Sequence, residues 1–448
     1  MNNPTEITVL GAGYVGLTSA VLFAHAGHKV HLVEPNPKRL EVIKSGKSFF
    51  YEYGIDTLIK TVIDNGTLLP TDSYEDSVPT SSVVFSCVGT PDNPDGSSNL
   101  SYVFASAAET AKHAKPGTVY VQKSTVPVGT GSQVIKQFAE SGTQIDYVSN
   151  PEFLREGTAV EDTLYFDRVV VGGDNTDATT KVLDIYRSLE SHRDQIATLA
   201  GVTPVDQTGT YITTSLSSAE LIKVTANAFL ALKISFANSI AKLADAASAD
   251  INEVMDAVGA DKRIGRAFLN AGRGYGGGCF PKDVSGLISS GLSFGVDLDI
   301  MSAAKKTNAS MPGYIVEKLK NTLGDMQGKK VAVLGLAFKA GTSDVRKSPG
   351  VALANSLSLH HAEVTAYDPE ANEEAEEELN RSIKLVDSFE SAVKNVDAIV
   401  VATEWPQLID RPIADYTQSA SVFVDAMNRF SPSVVKQAGL TYIGVGRS

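Results

Sequence analysis

The chain has 448 residues, 43% hydrophobic and 20% charged, which is typical of a soluble globular protein of two or three domains. The formal net charge of −13, from 39 basic and 52 acidic residues, argues against nucleic acid or an anionic membrane as a partner. Only two cysteines are present, which excludes a disulfide framework and favours the reducing cytoplasm.

The N-terminal part of the chain alternates strand and helix patterns. No basic segment precedes its first apolar stretch, and no apolar run reaches the roughly 18 residues of a membrane helix, so we expect neither a signal peptide nor a membrane span. A buried strand at 6–10 precedes a helix that ends near Ala26, and further strands are predicted at 29–33, 82–89, 117–124 and 168–173. This alternation indicates a parallel sheet with helices on both faces.

Residues 217–245 predict one long helix in the middle of the chain. The segment contains no Gly or Pro, apolar residues recur at helical spacing, and Ser217 or Ser218 with Glu220 nearby offers a start signal. A helix this long and apolar needs cover on more than one side, so we expect it to join domains and form a subunit interface. The helical region is predicted to continue to about Asn308.

Residues 328–448 predict a second α/β unit that resembles the first. Strand patterns occur in KKVAVLGLAF, AEVTAYDP, VDAIVVATEW and SVFVDAMN. We therefore predict an α/β fold with two Rossmann-like doubly wound parallel-sheet domains joined by a long central helix. The predicted boundaries are an N-terminal domain at 1–212, a central helical region at 213–310 and a C-terminal domain at 328–448.

The stretch GAGYVG at 11–16 is a dinucleotide-binding fingerprint, because it follows a predicted strand and opens a predicted helix. Its three glycines make the tight turn, admit the pyrophosphate and let the helix pack closely, while N–H groups at the helix start hold phosphate. Glu34 ends the next strand, where a carboxylate can bind ribose hydroxyls and repel a 2′-phosphate. The pattern predicts NAD rather than NADP.

The corresponding stretch of the second unit, GLAFK at 335–339, lacks the full fingerprint. A different mode of nucleotide binding and simple packing of the turn are equal alternatives from these residues alone.

Cys279 lies in GYGGGCFPKD at 274–283, a glycine-rich stretch with little side-chain cover. A structural cysteine prefers an apolar, packed position. Glycines let the backbone approach a ligand, and a thiolate becomes more reactive near a cation such as Lys282. We interpret Cys279 as a nucleophile; the alternative is a small loop residue without a role. Cys87 ends an apolar strand and is predicted to be a buried hydrophobic residue.

A nucleophilic cysteine beside a nicotinamide cofactor implies a definite chemistry. The thiolate adds to an aldehyde, hydride leaves the thiohemiacetal to give a thioester, and water then releases an acid. The stretch STVPVG at 124–129 offers hydroxyls. Glu152 and Glu156 would share one face if helical, and Lys223 and Asn227 have the same spacing on the long helix. Such pairs are usually solvated surface, but the apolar surroundings of Lys223 and Asn227 would require partners, which favours function.

These blocks together resemble the UDP-glucose 6-dehydrogenases of the nucleotide-sugar dehydrogenase (UDP-glucose/GDP-mannose dehydrogenase) family. The resemblance runs from Ile7 nearly to the C-terminus. It is carried by GAGYVG at 11–16, VGTP at 88–91, KSTVPVGT at 123–130, NPEFLREG at 150–157, ELIKVTANAF at 220–229, RIGRAFLNAGRGYGGGCFPKD at 263–283 and GLAFKAGTSDVRKSP at 335–349. It implies metal-free oxidation of the C6 alcohol of UDP-glucose to UDP-glucuronate, with two NAD⁺ reduced per turnover.

The resemblance also implies roles for individual residues. Cys279 would be the nucleophile, and Lys223, supported by Asn227, would stabilise the oxyanions. The residues implied to hold or activate water, directly or by support, are Thr125, Glu152, Glu156 and Asp283. The residues implied to bind the cofactor are Gly11, Gly13, Tyr14, Val15, Gly16, Glu34, Arg39, Thr90, Thr125, Glu156, Lys282 and Arg346. The residues implied to bind the substrate are Glu152, Phe153, Leu154, Arg155, Glu156, Lys223, Asn227, Arg263, Phe268, Leu269, Asn270, Ala271, Gly272, Gly276, Phe338 and Lys339.

The same resemblance implies an assembly. Arg263 would reach the UDP site of the neighbouring subunit in a homodimer, the N-terminal domain would bind NAD, and the C-terminal domain would bind the UDP-sugar. Two alternatives are a sister enzyme that acts on another UDP- or GDP-sugar and a catalytically silent sugar-nucleotide-binding protein. The presence of Cys279, Lys223 and Asp283 argues against the silent protein.

Overall fold

Two units make up residues 4–447, the part of the chain that this computed structural model describes. The boundary between the units falls between Thr225 and Ala226, inside the long central helix. The division into three domains that the sequence suggests therefore stays a prediction, and each unit is described by itself below.

The first unit is built on one eight-stranded sheet within the described residues. Its strands are β1 (Glu6–Leu10), β2 (Lys29–Val33), β3 (Leu68–Thr71), β4 (Val83–Ser86), β5 (Thr118–Gln122), β6 (Ile145–Ser149), β7 (Arg168–Gly172) and β8 (Thr210–Thr214). They lie in the order β3-β2-β1-β4-β5-β6-β7-β8. The first six strands have the order of a dinucleotide-binding fold, whose strand order reverses between β1 and β4.

The sheet is parallel except between β6 and β7, which pair antiparallel. The sequence-based assignment of β7 to a wholly parallel sheet was wrong at this one pairing. Strands β3, β6 and β8 were not predicted, because their patterns are weak: β3 reads LLPT and lies at an edge, where a proline costs no ladder bond. Strand β8 lies at the other edge and has no buried residue.

Helices cover this sheet and are joined to it by a largely aliphatic core. The helices of the first unit are α1 (Tyr14–His25), α2 (Pro37–Lys44), α3 (Ile55–Asp64), α4 (Tyr74–Ser77), α5 (Ser101–His113), α6 (Thr130–Ser141), α7 (Ala159–Leu164) and α8 (Thr176–Ala200), with a 3₁₀ turn at Val78–Thr80. The helix α1 is buried from Gly16 to Ala24, which fixes the fingerprint loop that precedes it against the sheet.

The long helix α9 spans Leu216–Ala247, slightly more than the predicted 217–245. The hydroxyl of Ser215 accepts a hydrogen bond from the Ser218 N–H at 3.3 Å, so the helix starts earlier than predicted. Glu220 does not take part in the helix start. Its buried carboxylate accepts the N–H groups of Gly129 and Gly131 at 2.8 and 2.7 Å, at the beginning of α6.

By length and composition alone, α9 is also apolar enough to cross a membrane. The sequence prediction missed this property because it considered only uninterrupted apolar runs. The most apolar window of α9 has a mean hydropathy of 1.2 and is 44% buried inside the molecule. A core helix of a soluble protein passes the same test. Exposed Phe229, Phe236 and Leu243 follow one another at seven-residue intervals, so they form one apolar stripe along the helix.

The second unit carries a six-stranded parallel sheet. Its strands are β9 (Lys330–Leu334), β10 (Glu363–Tyr367), β11 (Lys384–Leu385), β12 (Ala398–Val401), β13 (Val422–Asp425) and β14 (Thr441–Gly444). They lie in the order β11-β10-β9-β12-β13-β14, which repeats the reversal of the first unit between β9 and β12. Both predicted Rossmann-like sheets are therefore confirmed.

Some helices of the second unit precede its sheet in the chain, and the others connect its strands. They are α10 (Ile251–Gly259), α11 (Phe280–Ser293), α12 (Asp299–Ala309), α13 (Met311–Leu323), α14 (Pro349–Leu359), α15 (Asn372–Glu376), α16 (Phe389–Ala392), α17 (Pro406–Ile409) and α18 (Pro432–Gln437), with a 3₁₀ turn at Ile413–Tyr416. The helical region thus extends beyond Asn308 to Leu323. A non-helical segment at 260–279, which ends in the cysteine loop, interrupts it.

Candidate active site

The fingerprint loop of the first unit has the geometry that a dinucleotide needs. Gly11 has a φ of +87°, and a Cβ on Gly16 would lie 1.8 Å from the Gly11 carbonyl oxygen, so both positions require glycine. A Cβ on Gly13 would meet no atom within 4 Å, so the backbone is open on that side. A tight turn, an open backbone and close helix packing are the three roles of the glycines in the motif. The loop also lies where the strand order of the sheet reverses. The residues present therefore fit NAD.

Glu34 ends β2 beside this loop, as the sequence predicted. Its buried carboxylate accepts the Ala12 N–H at 3.1 Å and the Asn36 N–H at 2.9 Å, which fixes the acid against the phosphate-binding turn. Around the same loop, Tyr14 stacks on Phe50 with 3.9 Å between ring centroids. The other predicted cofactor residues of this unit are exposed Arg39, which lies over the Phe49 ring, and half-buried Val15, Thr90, Thr125 and Glu156.

Lys223 of α9 forms a buried ion pair with Glu152. The Lys223 Nζ lies 3.1 Å from Glu152 Oε1, with side-chain exposures of 5% and 9%. The same ammonium lies over the Phe153 ring at 5.4 Å, and Arg168 stacks on that ring at 3.8 Å. The second oxygen of Glu152, Oε2, is buried and accepts no hydrogen bond from any residue between 4 and 447. A charged lysine in apolar surroundings requires a partner, and the partner of Lys223 is Glu152.

Residues 151–156 are not helical, so Glu152 and Glu156 do not share a helix face as the spacing suggested. The segment is held by long-range bonds instead. Buried Glu52 accepts the N–H groups of Gly157 at 2.9 Å and Val160 at 3.3 Å, and burial raises the pKa of its carboxyl. The sequence analysis did not identify Glu52 as a residue of this region.

Two other predicted substrate residues lie on this segment. Leu154 is half-buried. The exposed side chain of Arg155 pairs with Asp162, with 2.6 Å between Nη2 and Oδ1, so it is directed to a carboxylate of its own unit.

A buried polar chain, also not identified from the sequence, supports the carboxyl ends of β5 and β6. The Lys123 Nζ donates to the Tyr186 hydroxyl at 2.8 Å, and that hydroxyl donates to Asn150 Oδ1 at 2.7 Å. Cys87 lies in the same unit and is buried as predicted, and burial raises the pKa of its thiol to about 12. A thiol in that environment stays protonated and unreactive at neutral pH.

Cys279 occupies the opposite environment. It is exposed and lies at the N-cap position of α11, with its carbonyl oxygen accepting the Asp283 N–H at 2.8 Å. A helix N-terminus favours negative charge, so this position suits a thiolate. The sequence predicted little side-chain cover for this residue, in agreement with its exposure, but it did not predict that a helix starts directly after it.

Asp283 lies one turn into α11 and is buried. Asn227 Nδ2 donates to its Oδ2 at 2.6 Å, and the Lys282 Nζ lies 2.8 Å from its Oδ1. The structure thus joins three predicted site residues of the second unit in one cluster. The Lys282 ammonium thus lies on Asp283, and its predicted influence on Cys279 stays a prediction.

The glycines before Cys279 have a different partner from the one that the sequence suggested. A Cβ on Gly276 would lie 2.4 Å from the Lys347 carbonyl oxygen, one on Gly277 2.8 Å from the Phe338 ring, and one on Gly278 2.6 Å from the Arg346 guanidinium carbon. The Gly277 N–H also donates to the Arg346 carbonyl oxygen at 2.9 Å. The glycines therefore let the cysteine loop lie against residues 338–349 of the same unit, rather than serving only to admit a ligand.

The predicted sugar loop precedes these glycines. Phe268 has a φ of +65°, which is uncommon for an aromatic residue. Buried Gly272 donates its N–H to Asn238 Oδ1 at 2.8 Å, and a Cβ there would meet the Ala426 carbonyl oxygen at 2.7 Å. In the same loop Leu269 and Ala271 are buried and Asn270 is exposed.

Arg263 begins this segment, and its side chain is 88% exposed. Its only ion pair in the described residues joins it to Asp261, with 2.6 Å between the closest atoms. The side chain therefore extends from the surface of its own unit.

The remaining predicted residues lie after β9. Gly335 has a φ of +102°, and a Cβ on Gly350 would lie 2.4 Å from its carbonyl oxygen. Half-buried Lys339 lies over the Phe338 ring at 5.8 Å, and Arg346 pairs with Asp344 at 2.6 Å. The second unit thus preserves the tight turn and the close helix approach of the fingerprint, with a longer connection between them.

No group of three or more His, Cys, Asp or Glu side chains in residues 4–447 is arranged to hold a metal ion.

Comparison with known proteins identifies the family. Models of the UDP-glucose/GDP-mannose dehydrogenase family match at residues 5–190 for its NAD-binding domain, 217–310 for its central domain and 332–432 for its UDP-binding domain. The UDP-glucose 6-dehydrogenase of Rhizobium meliloti (strain 1021) is 38% identical over 450 residues, 99% of each chain.

Two solved structures are also similar over nearly the whole chain. A UDP-glucose dehydrogenase from the hyperthermophilic archaeon Pyrobaculum islandicum has a TM-score of 0.88 and 36% identity, covering 100% of this chain and 98% of that one. A UDP-D-ManNAc dehydrogenase from Pyrococcus horikoshii has a TM-score of 0.84 and 27% identity, covering 98% and 99%. With the fingerprint geometry and the cysteine loop, these findings show that the chain is an NAD-dependent dehydrogenase and belongs to the UDP-glucose/GDP-mannose dehydrogenase family.

Proposed function

We propose that this protein oxidises the C6 alcohol of UDP-glucose to the carboxylate of UDP-glucuronate, with two NAD⁺ reduced per turnover. The observation that carries the proposal is the exposed thiol of Cys279 at the start of α11, one turn from the buried Asp283. The 38% identity to a UDP-glucose 6-dehydrogenase, against 27% to the UDP-D-ManNAc dehydrogenase, supports UDP-glucose as the substrate.

NAD supplies the hydride acceptor for both oxidation steps. The first unit would hold it through the turn at Gly11, the open backbone at Gly13 and the packing of Gly16. Glu34 would accept hydrogen bonds from the ribose hydroxyls, because its carboxylate is already fixed beside the turn. Glu34, at the end of β2, is therefore already next to the loop that would bind NAD.

Cys279 would form the covalent bond of the reaction. After the alcohol has lost a hydride and a proton, the thiolate adds to the aldehyde carbon and the oxygen becomes an oxyanion, which gives a thiohemiacetal on protonation. Loss of a second hydride to the second NAD⁺, together with the proton of the hydroxyl group, leaves a thioester. Water then adds to the thioester carbon, the thiolate leaves, and the carboxylate is released.

Lys223 is the residue we assign to the oxyanions. Its ammonium is buried and held by Glu152, so it is oriented before the charge develops. Asn227 lies one turn further along α9 and binds Asp283. We assign Asp283, with Thr125 and Glu156, to the water that hydrolyses the thioester.

The direct test is the stoichiometry of NADH to substrate. Purified protein should produce two NADH per UDP-glucose consumed, with UDP-glucuronate as the product. A ratio of one would mean that the reaction stops at the aldehyde and would contradict the thioester step. UDP-N-acetylmannosamine should be a poor substrate, and faster turnover of that sugar would favour the sister activity.

Glu34 is expected to determine the choice of cofactor. In the Glu34→Ala variant the preference for NAD⁺ over NADP⁺ should narrow by at least about tenfold, because removing the carboxylate removes about 1.4 kcal/mol or more of repulsion of the 2′-phosphate. The measurement is kcat/KM for both cofactors. Glu41, an exposed acid on α2, provides the control: Glu41→Ala should leave the preference unchanged. Equal use of both cofactors by the wild type would contradict the assignment.

We also propose a homodimer formed through α9, in a cytoplasmic enzyme. The stripe of Phe229, Phe236 and Leu243 supports the interface, because a second copy of the helix would cover it and a two-fold dimer is the simplest closed arrangement. The 88% exposure of Arg263 supports its predicted contact with the UDP site of the neighbouring subunit. The cytoplasmic location rests on the cysteine count.

A mixing experiment tests this assembly. Arg263→Ala and Cys279→Ala chains should each be inactive, and random exchange of their subunits should restore at best about a quarter of wild-type activity, since half the dimers then hold one good site of two. The good site combines the cysteine of one chain with the arginine of the other. Subunit exchange is verified by native mass spectrometry. No recovery after verified exchange would place Arg263 in the site of its own chain or show that it is dispensable.

A further inference from the structure

Arg273 is a buried cation that the reaction described above does not use. It lies between Gly272 and Gly274 in the segment that leads to Cys279, and it is only 1% exposed. Its Nη2 donates to the carbonyl oxygens of Ala337 at 3.2 Å and Phe338 at 2.8 Å. Its Nη1 is buried and has no hydrogen-bond partner in the part of the chain that the structure describes.

No carboxylate within the described residues pairs with this guanidinium. Two carboxylates, those of Glu404 and Asp368, interact electrostatically with the guanidinium, but both are bound to other groups. Glu404 pairs with Arg429 at 3.0 Å. Asp368 accepts five N–H groups, those of the Leu336, Ala337, Glu370 and Ala371 backbones and of the Trp405 ring. Burial lowers the pKa of Arg273 to about 10, so it remains charged at neutral pH.

The guanidinium lies at the reversal point of the second sheet. A Cβ on Gly350 would lie 2.9 Å from Arg273 Nη1 and 2.4 Å from the Gly335 carbonyl oxygen. Gly350 is in the first turn of α14, and Gly335 makes the tight turn after β9. Nη1 is therefore directed to the N-terminus of the helix that corresponds to the phosphate-binding helix of the first unit, where open parallel sheets bind ligands.

Four backbone N–H groups around this point are already bound within the unit, unlike the free N–H groups of a fingerprint loop. The N–H groups of Leu336 and Ala337 are both bound to Asp368, and that of Phe338 to the Asp344 carbonyl oxygen at 3.0 Å. The Gly350 N–H is bound to the Ser348 hydroxyl at 3.1 Å. An anion at this point has to be stabilised by side-chain charge, and a buried cation without a counterion is stabilised by an anion.

We propose that Arg273 is the buried cation with which the second unit stabilises the diphosphate of its nucleoside diphosphate ligand. It acts from beneath the loop at 335–339, by its charge and by fixing the Phe338 carbonyl next to Lys339, and is thus a positioning residue. The inference rests on the proposed function, since it takes the UDP moiety as the ligand of this unit, and it adds a residue that the family resemblance did not assign.

Two variants separate the charge of Arg273 from its hydrogen bonds. Arg273→Gln keeps an N–H donor for the two carbonyl oxygens but removes the charge, whereas Arg273→Lys keeps the charge. Binding of UDP and of uridine to each variant is measured by calorimetry, with NAD⁺ binding and the melting temperature as checks of the fold. Arg381→Gln is the matched control, because Arg381 is exposed and precedes the edge strand β11 of the same sheet.

The glutamine variant should bind UDP at least about tenfold more weakly, equivalent to about 1.4 kcal/mol, while its affinity for uridine stays unchanged. The lysine variant and the Arg381 control should keep most of the UDP affinity. Wild-type UDP affinity in Arg273→Gln, or equal losses for UDP and uridine, would overturn the proposal, because a merely structural arginine does not distinguish the two probes.

If the glutamine variant does not fold, the lysine variant provides the test. Retained binding of both probes then supports the charge role, and parallel loss of both refutes it. Failure of the proposed function is distinguishable, because it concerns NADH formation by the wild type with UDP-glucose, not UDP binding by these variants.

Discussion

Replacing Cys279 by alanine should abolish UDP-glucuronate formation, because no thioester can form without the thiol. NAD⁺ binding should persist, since the fingerprint loop belongs to the first unit. NADH formation should not exceed one per UDP-glucose, because the first hydride transfer does not require the thiol. The measurements are acid production by chromatography and NADH by absorbance. Steady-state acid formation near the wild-type rate would remove Cys279 from the mechanism.

Cys87→Ala is the matched control for this experiment. Cys87 is the other cysteine of the chain, and burial raises the pKa of its thiol to about 12. Its Cβ lies against Gly16, and alanine keeps that contact. We expect the Cys87 variant to retain activity, which would show that only the exposed thiol at the start of α11 is chemically required.

The second large effect is expected for Lys223→Ala. Loss of one preorganised donor to an oxyanion typically costs about 2.7–4 kcal/mol, a fall in kcat of about 10²- to 10³-fold. The variant should also be less stable, because Glu152 is left buried and unpaired, which typically costs about 3–5 kcal/mol. Turnover and the melting temperature are measured together.

A double variant separates these two consequences. Lys223→Ala combined with Glu152→Gln removes the uncompensated charge, so it should recover stability without recovering turnover. Lys242→Ala, a lysine of the same helix that donates to the Ser310 hydroxyl, should leave kcat near wild type. A change confined to KM in the Lys223 variant would mean that the residue only binds substrate.

The apolar stripe of α9 is largely exposed. Phe229 is 58% exposed and Leu243 64%, values that are high for large apolar side chains on one helix stripe. The inferred dimer would cover them, and the mixing experiment with Arg263 tests whether that dimer also completes the active site.

The sequence alone determined the features that depend on neighbouring residues. The strands around GAGYVG, the helix over 217–245 and the second α/β unit all follow from local apolar periodicity, which packing reinforced. The glycines at 11 and 16 were predictable because a left-handed turn and a close helix approach are properties of a few consecutive residues. The strands that were missed, such as β3 and β8, lie at sheet edges, where little burial marks the sequence.

The tertiary structure decided which polar groups meet across long separations. Glu52 accepts the N–H of Gly157, 105 residues away, Glu220 that of Gly129, 91 residues away, and Asn227 binds Asp283, 56 residues away. Neither partner in such a pair carries a local pattern, because a carboxylate that accepts backbone N–H groups has the same sequence signal as a solvated one. Arg273 is the extreme case, since its hydrogen-bond partners Ala337, Phe338 and Met427 lie 64 to 154 residues further along the chain. Glu52 and Arg273 became visible only when the fold removed them from water, where burial of a charged group is costly.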